Sequence, residues 1–79
     1  MALYFFDTDD GTHVFRDEIG LELDDDQAAR DEGARALAEL AREYVPGDEP
    51  QKNITMWVRN ADGTPLLQLS ISFAVKPLV

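Results

Sequence analysis

Residues 54–73 read ITMWVRNADGTPLLQLSISF and contain the clearest structural pattern of the chain. Apolar and polar residues alternate on both sides of Asp62-Gly63, and a period of two is typical of a strand with one buried face. Asp-Gly between two such runs is a strong hairpin signal, because a type I′ turn needs φ > 0 at both central positions. The predicted buried side carries Ile54, Met56, Val58, Leu67, Leu69, Ile71 and Phe73.

A second Asp-Gly pair predicts another hairpin near the start of the chain. Asp10-Gly11 lies between the strand-like residues 3–7 and 12–16. The first run begins Leu3-Tyr4-Phe5-Phe6, which is apolar on both faces and therefore typical of an interior strand. Asp17 to Gly20 then matches a type I turn, and the residues that follow it alternate again.

One amphipathic helix separates the two hairpins. Asp24 is the predicted N-cap, Gln27 completes its capping box, and Pro46-Gly47 ends the helix. The apolar stripe consists of Ala29, Gly33, Ala36, Leu37, Leu40 and Tyr44. We therefore predict an α+β fold of ββαββ order, with a four-stranded antiparallel sheet and one helix packed on one face, in a single domain over residues 1–79. The strand order stays open.

The outer face of this sheet is the candidate interaction surface. It carries Trp57 and Arg59, and the first hairpin must add either Tyr4 and Phe6 or Leu3 and Phe5. Large aromatic side chains on a face that no helix covers commonly mark an interface. The alternative is that Arg16 and Arg59 shield these rings. We take Tyr4, Phe6, Trp57, Arg59 and Arg16 as the possible interaction surface.

Size and charge limit the classes of function. A chain of 79 residues without cysteine has a thin stability margin and no disulfide to widen it, so a homodimer is a reasonable expectation. The 16 acidic and 7 basic residues give a net charge of −9, which opposes nucleic-acid binding and is compatible with a basic protein partner. No apolar run approaches the roughly 18 residues of a membrane span, and we expect a cytoplasmic protein.

The sequence contains no recognisable catalytic set. His13 is the only histidine, and Ser70 and Ser72 have no nucleophile elbow around them, so we predict no enzyme activity and no cofactor. The acidic first turn, residues 7–11, resembles a calcium loop, but its glycine is fifth where an EF-hand has it sixth. Weak metal or small-molecule binding at this turn remains an alternative, without any assigned ligand.

Several segments together resemble a small domain-of-unknown-function family that is abundant in rhizobia and related alphaproteobacteria. They are Tyr4-Phe5-Phe6, Asp10-Gly11, Arg16 to Leu23, Ala28-Ala29-Arg30, Ala36-Leu37, Val58-Arg59, Asp62-Gly63 and Leu66. The family is uncharacterised, so the resemblance implies a bacterial, cytoplasmic, stand-alone domain and no activity. It also draws attention to Arg16, Asp17 and Gly20. Arg16 either pairs with an acid across the turn or forms a recognition edge with Asp17.

The sequence thus favours a non-enzymatic protein-interaction module that self-associates through its sheet. A small acidic regulator that binds a basic protein is the second hypothesis, and it depends on the net charge of −9. The partner and the biological process are not encoded in any motif.

Overall fold

The computed structural model describes residues 1–79 and contains five strands and one helix. The strands are β1 (Ala2–Asp9), β2 (Val14–Phe15), β3 (Leu21–Leu23), β4 (Gln51–Asn60) and β5 (Pro65–Ala74), and the helix is α1 (Asp26–Tyr44). The strands form one antiparallel sheet in the order β2-β1-β4-β5, and β3 also pairs with β1. The α+β class, the single helix and the antiparallel sheet are confirmed.

The second predicted strand, residues 12–16, shortens to β2, and residues 21–23 form an additional strand, β3, so the predicted count of four strands and the ββαββ order are wrong. Thr8 and Asp9 of β1 pair with β2, whereas Ala2, Leu3 and Tyr4 pair with β3. Both short strands lie on the same edge of β1, and β4 pairs with its other edge. β1 is therefore an interior strand, as its two-sided apolar run indicates.

Both predicted hairpins form, but their turns are not of type I′. Only glycines have positive φ, at +93° for Gly11 and +85° for Gly63, whereas Asp10 and Asp62 do not. The Asn60 side chain instead accepts hydrogen bonds from the backbone N–H groups of Asp62 and Thr64, both at 2.9 Å. These side-chain bonds close the second turn without a second positive φ.

The helix begins one residue later than predicted. Asp25, not Asp24, is the N-cap: its backbone is extended and its Oδ1 accepts the N–H of Ala28 at 2.8 Å. Gln27 donates to Asp31 and does not return to the cap. Either aspartate satisfies the sequence rule, and the position at which the chain leaves β3 decides which one has the required extended backbone.

The core lies between α1 and the inner face of the sheet. Ile54, Met56 and Val58 alternate along β4 and are almost fully buried. Ala29 and Leu37 meet them from the helix. Gly33 lies where a side-chain carbon would touch Met56 Sδ at 3.4 Å, so the small residues of the stripe permit the close approach of helix and sheet. The helical part of the chain lacks the long apolar stretch that a membrane-spanning helix requires.

Candidate functional site

The register places the N-terminal aromatic residues on opposite faces of the sheet. Phe6 pairs with Val58 and Tyr4 with Asn60, so both point toward the helix side. Phe5 pairs with Arg59, and Leu3 and Phe5 occupy the outer face. Tyr4 is 3% exposed and Phe6 is half-buried. The predicted grouping of Tyr4 and Phe6 with Trp57 on one surface is therefore wrong, and the alternative of Leu3 and Phe5 is correct.

Tyr4 connects the first strand to the first turn of the helix. Its hydroxyl donates to Asp26 Oδ1 at 2.7 Å. This hydrogen bond, together with burial and the negative charges of Asp26 and Asp25, raises the pKa of Tyr4 to about 12. The phenol therefore keeps its proton and acts as a structural donor, because deprotonation would place its negative charge beside a carboxylate.

A buried ion pair occupies the centre of the outer face. Arg59 is 9% exposed, and its Nε and Nη2 donate to the two oxygens of Asp7 at 2.5 and 3.0 Å. Its Nη2 also donates to the backbone carbonyl of Asp17 at 2.9 Å. The guanidinium carbon lies 4.8 Å from the centre of the Phe5 ring. Arg59 thus shields an aromatic ring and neutralises a buried carboxylate at the same time.

Arg16 forms no ion pair, so the prediction that it pairs with an acid across the turn is wrong. The structure's ion pairs use Arg30, Arg35 and Arg59, and Arg16 is exposed. Arg59 forms the ion pair with Asp7 instead. Asp7 of β1 lies opposite Trp57 of β4, and Arg59 follows Trp57 by two residues on the same face of the sheet.

Asp17 bridges the gap between the two short edge strands. Its Oδ2 accepts the N–H of Phe6 at 3.1 Å, in the position where an uninterrupted strand would supply a carbonyl. Its Oδ1 accepts the N–H groups of Ile19 and Gly20, and its own N–H donates to Asp7 Oδ1 at 2.9 Å. We call Asp7, Asp17 and Arg59 the polar cluster.

The polar cluster is hydrogen-bonded throughout its buried part. No buried side-chain nitrogen or oxygen lacks a hydrogen-bond partner. The three side chains bond to one another and to the backbone of β1 and of the residue 16–20 segment. The arrangement therefore holds the residue 16–20 segment against β1.

The polar cluster predicts a loss of stability in acid. Hydrogen bonds from Arg59 lower the pKa of Asp7 in spite of its burial. Burial raises the pKa of Asp17, but the N–H groups of Gly20, Ile19 and Phe6 outweigh it and the net change is downward. A carboxyl group whose pKa is lowered by folding stabilises the protein above its unfolded pKa of about 4.

We expect the free energy of unfolding to fall as the pH drops below about 4, where these two groups take up protons. Urea titrations between pH 6 and 2 would measure it. The Asp7→Asn variant should show a shallower pH dependence over that range. An unchanged slope in Asp7→Asn would mean that the polar cluster is not the acid-sensitive element.

Trp57 lies on the outer face beside the polar cluster. It is half-buried, and its Nε1 donates to Gln68 Oε1 at 3.1 Å across the β4–β5 pair. Of the five predicted surface residues, Trp57 and Arg59 therefore share the outer face, Tyr4 and Phe6 face the helix, and Arg16 lies beyond the end of β2.

The acidic first turn uses its carboxylates locally. Asp9 accepts the N–H of Gly11, and Asp10 Oδ1 accepts those of Thr12 and His13 at 2.9 and 2.8 Å. The His13 and Thr12 bonds lower the pKa of Asp10. No three His, Cys, Asp or Glu side chains are grouped so that they could hold a metal ion.

The two edges of the sheet differ sharply. One edge consists of β2 and β3, with 2 and 3 residues, separated by the residue 16–20 segment. The other is β5, which continues for ten residues and pairs only with β4. A long free edge presents a row of unpaired backbone donors and acceptors.

Sequence reasoning missed Asp7 and the β5 edge. Asp7 has a visible signal, because it is a carboxylate within a strand whose preceding residues are apolar on both faces, and a buried acid requires a partner. The β5 edge has a weaker sequence signal, which is the absence of charged residues from Gly63 to Val75.

No curated protein and no solved structure matched the chain. A family model described as a domain of unknown function, DUF6894, matches residues 3–72, which span the sequence from the first strand to the last. The chain therefore belongs to the DUF6894 family of domains of unknown function.

Proposed function

We propose that this chain is a non-enzymatic protein-interaction domain that self-associates through its sheet, and that the contact is the free edge of β5. The observation that carries the proposal is the ten-residue length of this edge strand, Pro65–Ala74, without a single charged residue. Long, uncharged edge strands are templates for pairing with another strand.

The distribution of charge supports this edge over the rest of the surface. The chain carries 16 acidic residues, yet none lies between Gly63 and Val75. Two copies with a net charge of −9 repel each other, and the repulsion is smallest where no charge lies near the contact. Soluble proteins protect edge strands with lysines, bulges or short length. β5 has Pro65 and an irregular register at Leu66 near its beginning, and neither feature occurs from Leu67 to Ala74.

A second copy provides a matching edge. Two β5 strands related by a two-fold axis pair antiparallel and join the two sheets into one, with both helices on the same side. The backbone N–H and C=O groups along the free edge of each β5 strand then form hydrogen bonds with those of the other copy. This added stabilisation of the folded state matters for a chain of this size, since only 9 of its 79 residues are buried.

The absence of enzyme activity is part of the proposal, and the positions of the candidate residues support it. His13 lies exposed at the turn before β2, on one edge of the sheet. Ser70 and Ser72 lie on β5, at the opposite edge, with β1 and β4 between them. A nucleophile and its base must be within hydrogen-bond distance, and these side chains are on separate strands at opposite edges.

Two lysines on β5 test the proposal. Ser70 and Ser72 are exposed and point to the outer face, because they pair with Thr55 and Asn53. In the Ser70→Lys/Ser72→Lys variant, the added charges of two paired β5 strands would lie on one face of the joined sheet and repel. We expect the dimer dissociation constant to rise about tenfold or more, equivalent to about 1.4 kcal/mol.

Sedimentation equilibrium over a wide concentration range measures this constant. The control is Gln27→Lys/Ala34→Lys, which makes the same change in net charge at exposed positions of α1, and we expect it to dimerise as the wild type does. A wild-type monomer at several hundred micromolar, or equal dimerisation of the β5 variant and the wild type, would refute self-association through this edge.

A further inference from the structure

One helix covers only part of the inner face of the sheet. The helix packs against β4 and β5, and beside its C-terminal half an open groove of about 630 Å³ lies over β1. Phe6 and Met56 of the sheet form its apolar floor, and Ala36 and Leu40 of the helix form its apolar wall. The groove is on the opposite face from the polar cluster and on the opposite edge from β5.

The width of the groove suits a second helix. Neighbouring strands are about 4.8 Å apart, so the sheet extends about 10 Å beyond β4 where the two residues of β2 flank β1, and this equals the diameter of an α-helix. Phe15 pairs with Thr8 and therefore faces the same side, and it is 55% exposed. An exposed aromatic residue beside an apolar floor extends the surface that a helix could bury.

The charges around the groove select the partner. Glu39 and Glu43 lie on its helical rim, with Arg42 the only cation there. A neighbouring concavity beyond the end of α1 adds Asp10 and Glu49 against one further cation, Lys52, so that in each of the two depressions the carboxylates exceed the basic side chains by one. The helix of a second copy is a poor occupant, because Asp26–Tyr44 contains five acidic and three basic residues.

We propose that this groove binds an amphipathic helix from a partner protein, with its apolar stripe on Phe6, Leu40 and Met56 and its lysines or arginines beside Glu39 and Glu43. Recognition follows the helix-in-groove mode, in which apolar anchors at helical spacing supply the affinity. The acidic rim supplies orientation and speeds association. This site is separate from the β5 edge, so one domain can dimerise and bind a partner at the same time.

A pair of synthetic peptides tests the groove. Both have about 18 residues, or about 27 Å of helix, with the same leucine stripe; one carries lysines on its polar face and the other glutamates. We expect the lysine peptide to bind and to shift the amide resonances of Phe6, Thr8 and residues 36–43, and the glutamate peptide not to bind. No binding of the lysine peptide, equal binding of both, or shifts confined to another face would overturn the proposal.

Charge-reversal variants separate the groove from general attraction to an acidic protein. Glu39→Lys/Glu43→Lys should weaken binding of the lysine peptide about tenfold or more. Glu22→Lys/Asp62→Lys makes the same change in net charge at exposed positions outside the groove, and we expect it to weaken binding far less. Equal losses in the two variants would overturn the proposal. Ser70→Lys/Ser72→Lys should still bind the peptide, which makes this result independent of self-association.

Discussion

Replacement of Arg59 by methionine is expected to lower the free energy of unfolding by about 3–5 kcal/mol. Methionine retains the apolar stem but removes the guanidinium that donates to both oxygens of Asp7 and to the Asp17 carbonyl. The Asp7 carboxylate then stays buried with only the N–H of Asp17 as a partner. Removal of one member of a buried pair is costly because the other charge has lost its compensation.

Equilibrium urea unfolding at pH 7 would measure this effect. Arg35→Met is the matched control, since Arg35 is exposed and its bond to Glu32 connects neighbouring turns of the helix; we expect a change below about 0.5 kcal/mol. Arg59→Lys should lie between the two, because an ammonium group cannot reproduce the two-nitrogen contact with Asp7. A loss below about 1 kcal/mol in Arg59→Met would contradict a stabilising role for the polar cluster.

Alanine at Gly20 is expected to destabilise the protein by about 2–5 kcal/mol. Two separate costs contribute to this loss. The backbone φ of Gly20 is +78°, a conformation that costs an L-residue about 1–2 kcal/mol. Overpacking by the added methyl group costs about 1–3 kcal/mol more. A side-chain carbon would lie 3.0 Å from both Leu3 Cδ1 and Phe5 Cε1 and 3.1 Å from the Tyr4 carbonyl oxygen. The residue 16–20 segment would have to move away from β1.

Gly63→Ala is the control for this substitution. Gly63 has a similar φ of +85°, but no atom lies within 4 Å of the added carbon. We therefore expect a loss of about 1 kcal/mol, from backbone strain alone. Urea unfolding of the two variants isolates the packing cost at Gly20 as their difference. Equal losses would show that Gly20 is required only for its backbone conformation.

The elements of the fold were predictable because their signals are local. Alternation along residues 54–73 predicts β4 and β5, and Asp62-Gly63 predicts the turn between them. The helical spacing of Ala29, Gly33 and Leu37 predicts α1, and all three are buried. The details at element ends were less predictable: Asp24 and Asp25 have the same side chain, and only the path of the chain out of β3 decides which of them caps the helix.

The candidate site was predictable only in part. Trp57 and Arg59 lie on the outer face as the alternation in β4 predicts, but the face of Tyr4 and Phe6 depends on their pairing with β4, which the first hairpin does not specify. A slip of one residue would exchange the two faces, so a run that is apolar on both sides gives no preference. Asp7 and Arg59 are 52 residues apart, and no local pattern connects them.

The order of residues along the chain is enough to predict two hairpins, one amphipathic helix and an interior first strand, and it gives the net charge of −9. Periodicity and turn chemistry depend on neighbouring residues, so they can be read before the chain folds. Three features are visible only in the folded chain: β5 is a free edge, Arg59 and not Arg16 forms the ion pair with Asp7, and a groove lies over β1 beside α1. These depend on which strands become neighbours, and strand order results from packing energies summed over the whole chain.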